Sequence, residues 1–168
     1  LGAARQTDRP VLDVARVVLT GAFCEPPPLG FVRTLERAGC AIVADDLLLG
    51  MRWLSADVDE QGDPLDALAR AYLLASPAAS CRYEGERPRT ESVLEQVRRR
   101  DASGVILASP SFCDPALLDR PGLLDALERA SIPSVQIQYA ENSADFGSVR
   151  EQAGTFADAL RLWEATGT

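Results

Sequence analysis

Histidine and lysine are both missing from this 168-residue chain; all 17 of its basic residues are arginine. Without imidazole, a Ser-His-Asp type of triad, a histidine metal site and imidazole acid–base catalysis are excluded within the chain. Lacking lysine, it forms neither a Schiff base nor a phosphate-cradling GxxxxGK[ST] loop. Long apolar runs are missing too. The apolar residues, 46% of the total, come in short stretches broken by Arg, Asp and Glu, none approaching the roughly 18 residues a membrane span requires. What is left is carboxylate, thiol, hydroxyl, guanidinium and backbone chemistry.

The net charge of −8 argues against nucleic acid as a partner. The single basic run, Arg98 to Arg100, falls at the end of an expected helix, where cations suit the dipole. Residues 1–10 lack the basic, apolar and small-residue segments of a secretion signal and read as a lead-in to a cytoplasmic domain with no membrane contact.

Short β-branched runs alternate with helical spacing. The stretch 16–23 (RVVLTGAF) reads as a strand stopped by Cys24, Glu25 and three prolines, and 29–38 as a helix with Leu29, Val32 and Leu35 on one face and Gly39 ending it. A second buried strand, 40–46, ends in the acidic pair Asp45-Asp46. Asp63-Pro64 then opens a helix to residue 75 with Leu65, Leu68, Ala69 and Tyr72 along one face. Residues 75–89, rich in Pro, Ser, Gly and charge, read as an excursion, followed by a helix over 90–100. The stretch 104–110 (GVILASP) is the third strand, 114–130 a helix, 134–139 (SVQIQY) the fourth strand and 146–163 the final helix. This alternation predicts one α/β domain over 1–168: a three-layer, flavodoxin-like or Rossmann-like parallel sheet of about four strands. The expected strand order is 2-1-3-4, with helices on both faces.

Ligands of such sheets bind beyond the carboxyl ends of the strands, which makes the loops there the place to look for chemistry. They carry Cys24 and Glu25 after strand one, Asp45 and Asp46 after strand two, Ser109 to Pro115 after strand three, and Glu141 and Asn142 after strand four. Helix caps and turns also use Asp, Ser, Asn and Pro, which explains Asp63, Asp114 and Glu141 equally well. Cys113, just ahead of a helix N-terminus that favours thiolate, and Cys24 at the same end of a neighbouring strand suggest a metal or redox site; burial as small hydrophobes is the rival account. Cys40 starts a strand at the opposite rim, and Cys81 lies in the excursion. A receiver-like phosphoacceptor or magnesium role for Asp45-Asp46 requires a lysine on a later strand, and there is none.

Several of these segments, GAFCEPPPLG, VADDLLLG, GDPLDALARAYL, SPSFCDPALLDRPGLLDALERASIP and YAENSADFGSVREQAGTFADALRLW, together closely resemble the 2-hydroxyacyl-CoA dehydratase D-component family, in its benzoyl-CoA reductase branch. The resemblance covers nearly the whole chain, from Arg16 to Trp163. Its most specific parts are SFCDPALLDRP and REQAGTFAD. The general dehydratase pattern has Arg and Glu where Gln152 and Gly154 stand, whereas the reductase branch shares the QAG form. The resemblance implies the C-terminal domain of a longer iron–sulfur subunit of an oxygen-sensitive radical enzyme. In that family three cysteines hold a [4Fe-4S] cluster, two from an N-terminal domain and one from the FCDP segment, which matches Cys113 here. Lying beside Cys113 at the start of the following helix, Ser109, Ser111, Phe112 and Asp114 are the expected surroundings of such a cluster, with Cys24 nearby but unbound to iron. The implied partners are a homologous iron–sulfur subunit, ATP-hydrolysing subunits that deliver electrons, and an acyl-CoA thioester. The expected reaction is reductive dearomatisation, the chain by itself being inactive and a lone Cys113 rarely retaining the cluster. Radical dehydration of a 2-hydroxyacyl-CoA is one alternative. A cluster-free scaffold, docking partners through the stripe of Phe146, Val149, Ala153, Phe156, Leu160 and Trp163, is the other; burial against the core explains the same spacing.

Overall fold

The computed structural model describes residues 13–21, 26–47, 57–75, 89–140 and 145–166. Strands β1 (Ala15–Thr20), β2 (Cys40–Asp45), β3 (Gly104–Pro110) and β4 (Ser134–Tyr139) form one sheet, all neighbours parallel, in the order β2-β1-β3-β4. The expected wind is therefore present. β1 and β3, the central strands, are buried almost throughout, as Val, Ile and Leu runs in a covered parallel sheet should be. β2 is half-buried apart from Cys40 because it is an edge strand, which corrects the expectation of a fully buried one. β1 stops at Thr20, short of the predicted residue 23; Ala22 and Phe23 lie outside the described residues.

The helices are α1 (Leu29–Arg37), α2 (Pro64–Arg70, continued by a π-helical turn Ala71–Ala75), α3 (Arg89–Arg100), α4 (Asp114–Arg129) and α5 (Gly147–Thr166). One face of the sheet is covered by α1 and α5: Phe31, Leu35, Val149, Ala153, Ala157 and Leu160 pack on Val17, Leu19, Ile106 and Ile137. Phe31 lies 4.5 Å centroid to centroid from Tyr139 and meets Phe146 edge-on at 6.0 Å. The other face is covered by α3 and α4 through Val93, Val97, Leu123 and Leu127 against Val18, Val105 and Leu107. Together these make the three expected layers. The stripe on α5 is thus mostly internal, and only Trp163 at its far end stands in solvent. Gly104 lies beneath α5, where a Cβ would come within 2.8 Å of Phe156 Cζ.

The helix ends follow local rules. Gly39, at φ +96°, turns the chain out of α1. The Asp63 carboxylate accepts from the amides of Leu65 and Asp66 at 2.9 and 3.1 Å, so it is an N-cap. At the far end of α3, Arg98 to Arg100 occupy the last turn. Arg16 of β1 reaches across to donate to the carbonyls of Asp101 and Arg100.

Two expectations fail in packing rather than in existence. Leu65, Leu68, Ala69 and Tyr72 form the predicted face of α2, yet all are exposed or nearly so, and Ala67 alone is buried there. Leu29, read as part of an apolar helix face, is exposed at the first position of α1.

Candidate functional site

Parallel pairing places Thr20, Asp45, Pro110 and Tyr139 at one edge of the sheet. β3 and β4 run past the pairing of Thr20 with Leu107 and end together at Pro110 and Tyr139. The segment leaving β3 is strapped to β4: Ser111 donates to the Tyr139 carbonyl from its amide at 2.8 Å and from its hydroxyl at 3.2 Å. Phe112 follows in the left-handed region, φ +64°, a conformation bulky side chains rarely adopt. Its side chain is 98% exposed. Cys113 is the N-cap residue of α4 and half-buried. Its thiol does not cap the helix amides, while its carbonyl accepts from Leu117 N at 3.2 Å. Asp114 occupies the exposed first position of α4, and the buried Ser109 hydroxyl accepts from Arg120 Nη2 at 3.1 Å.

Of the predicted site residues, Ser109, Ser111, Phe112, Cys113 and Asp114 therefore share one rim, built by β3, its turn and the start of α4. Cys24, Glu25, Glu141, Asn142 and Cys81 lie outside the described residues. Cys40 is buried at the opposite rim, its thiol 3.7 Å from the Ala153 carbonyl, and burial pushes its pKa up to about 11. It packs as a small hydrophobe.

Beneath the rim lies a charged group that local sequence patterns did not reveal. Arg89, placed by its composition in the excursion, is instead the first residue of α3 and 4% exposed. Its Nη2 donates to Asp46 Oδ2 at 2.7 Å, to the Gly21 carbonyl at 2.7 Å and to Thr20 Oγ1 at 3.0 Å, while its Nη1 pairs with Asp119 of α4. Thr20 in turn donates to Asp46 Oδ2 at 2.9 Å, and Gly21 N to Asp46 Oδ1 at 3.2 Å. Burial alone would lower the Arg89 pKa, but the Asp46 and then the Asp119 carboxylates outweigh it and the net shift is upward. Asp46 thus holds Arg89 and the end of β1 together, and Asp45 accepts from the Leu47 amide at 3.0 Å. One signal in the sequence does point to this arrangement: an arginine in the first turn of a helix opposes the dipole, so it needs acidic partners to be stable there. The cleft between Arg89, Ser109, Asp119 and Arg120 is only about 20 Å³, room for a water molecule and not for a substrate.

A [4Fe-4S] cluster needs three or four thiolates. The described residues do not by themselves fit one: Cys113 supplies a single rim thiol, and no group of three potential metal ligands occurs among them.

The sheet and its rim define a doubly wound parallel α/β domain in which Ser109 to Asp114, with the Cys113 thiol, stand at the carboxyl edge. The chain belongs to the 2-hydroxyglutaryl-CoA dehydratase, D-component family, which it matches over residues 3–160. It is 44% identical to a benzoyl-CoA reductase subunit of Thauera aromatica over 97% of this chain and 42% of that protein. Similarity to the (R)-phenyllactyl-CoA dehydratase beta subunit of Clostridium sporogenes is 30% identity over 86% of this chain and 38% of that one. For the beta subunit of (R)-2-hydroxyglutaryl-CoA dehydratase from Acidaminococcus fermentans it is 30% over 88% and 39%. The chain spans about two fifths of the length of these curated relatives. Among the described residues no helix is long and apolar enough to cross a membrane.

Proposed function

We propose that this chain is the C-terminal α/β domain of an iron–sulfur subunit of a benzoyl-CoA reductase, acting within a cytoplasmic complex. The observation that carries this reading is the 44% identity over 97% of the chain to a benzoyl-CoA reductase subunit, well above the 30% to the two dehydratase subunits. Cys113 is the one cluster ligand this domain contributes, the others coming from beyond the described residues. When bound, such a cluster supplies single electrons for the reductive dearomatisation of an aromatic acyl-CoA to a dienoyl-CoA. The chain's own share is positional. The strap from Ser111 to Tyr139 holds the turn that presents Cys113, and Ser109, Phe112 and Asp114 surround it. Electrons come from ATP-hydrolysing subunits, and a homologous iron–sulfur partner completes the site.

The family match itself favours a second reading, a subunit of a 2-hydroxyacyl-CoA dehydratase. The complete complex, assayed without oxygen on benzoyl-CoA and on a 2-hydroxyacyl-CoA, separates the two. A dienoyl-CoA from benzoyl-CoA, lost in Cys113→Ala together with this subunit's share of the visible iron–sulfur absorbance, is the expected result. Product from the hydroxyacyl substrate alone selects the dehydratase, and absorbance unchanged in Cys113→Ala removes Cys113 from the cluster.

A further inference from the structure

Helix α4 consists of two stretches that are held in different ways. Pro121 sits inside it and has no N–H to give the Leu117 carbonyl, so the ladder lacks one rung at the middle. Behind Pro121, Leu123, Ala126 and Leu127 are buried in the body of the domain. Ahead of it Ala116 alone is buried, while Leu117, Leu118 and, just before the helix, Phe112 are exposed. Apolar packing therefore does little to fix the stretch that follows Cys113. Polar ties among the described residues act on it as well: Asp119 to Arg89, and Arg120 to Ser109 at 3.1 Å. Arg89 is itself clamped by Asp46, Thr20 and the Gly21 carbonyl.

We propose that Arg89 is a positioning residue for the rim. Its guanidinium, anchored at the ends of β1 and β2, holds Asp119 and thereby sets where the front of α4, with Cys113 and Phe112, stands relative to the sheet edge. The planar fork suits the task, since one group must reach Asp46 and Asp119 at the same time, which the point charge of a lysine ammonium does less well. The importance of this placement to catalysis rests on the proposed function, but the placement itself is measurable without any cluster.

The test uses the chain with Cys24 and Cys81 replaced by Ser, Cys40 being buried, so that Cys113 is the reactive thiol. Two readouts are taken: the rate of Cys113 alkylation by iodoacetamide, and amide hydrogen exchange at 117–120 compared with 122–129. Asp119→Asn leaves the Arg89–Asp46 pair intact and alters a side chain that is already 24% exposed, so the fold survives. It is expected to raise both the alkylation rate and exchange at 117–120 by about three- to tenfold, with 122–129, β3 and β4 within about twofold of the parent. Arg89→Lys is expected to do the same, because it keeps the charge without spanning both acids. Alkylation and 117–120 exchange within about twofold of the parent in Asp119→Asn would overturn the proposal. So would faster exchange spread evenly over the sheet and α5, which marks a general contribution to stability rather than placement. Absence of benzoyl-CoA turnover in the complex would count against the proposed function and leave these two readouts untouched.

Discussion

Helices α5 and α2 carry the same kind of apolar spacing and meet opposite fates. In α5 the stripe lies on the sheet, with Leu160 2% exposed; in α2 the equivalent Leu68 is 55% exposed. Periodicity reports that a helix has an apolar face. What covers the face is decided by topology: α5 follows β4 directly and returns across a sheet whose two central strands are apolar on both sides. α2 lies in the long connection between β2 and β3, and among the described residues it contributes to neither packed cluster.

A matched pair of truncations is the most direct way to break this contrast. Leu160→Ala removes a buried side chain and is expected to cost about 2–5 kcal/mol in urea unfolding. An equal loss from Leu68→Ala would show that α2 is packed after all. Cys40, whose thiol faces the α5 backbone at Ala153, sharpens the same side by pH. Its pKa is raised by burial from 9.0 to about 11, so the unfolded chain loses the proton first. Stability that is fully present below pH 9 is expected to fall by on the order of 2 kcal/mol as the pH rises from 9 to 11. Cys40→Ala should flatten that part of the stability–pH curve. Close approach is tested by Gly104→Ala, because the added Cβ meets Phe156 Cζ at 2.8 Å and Leu160 Cδ1 at 3.0 Å. A loss of about 1–3 kcal/mol is expected, smaller when Leu160 is also truncated. The smallest effect belongs to Leu68→Ala, within about 0.5 kcal/mol of the parent in the same unfolding experiment.

The architecture was legible because each strand and helix announces itself locally. Val17 to Leu19 and Val105 to Leu107 are too apolar for anything but a doubly covered strand, Gly39 turns the chain out of α1, and Asp63-Pro64 opens α2. The rim from Ser109 to Asp114 was legible for a related reason: a strand-to-helix junction in a parallel sheet has one place to be. Arg89 was not legible as a structural residue. Its acidic partners are 43 and 30 positions away in the chain, and only the sheet order brings them together. Composition put it in a loop, whereas the physics of a helix start, which disfavours a cation there, held the better clue. The exposure of α2 was hidden for the converse reason, since its local pattern is sound and says nothing of whether the described layers of the sheet cover it.

Pro121 has one further consequence. Unwinding in a helix spreads cooperatively from turn to turn as long as the hydrogen bonds are continuous; a gap in the ladder confines it. The front of α4 can therefore loosen, or reshape itself against another surface, without passing the disturbance to the layers beneath, and heat or denaturant should release the cysteine end well before the β-sheet yields.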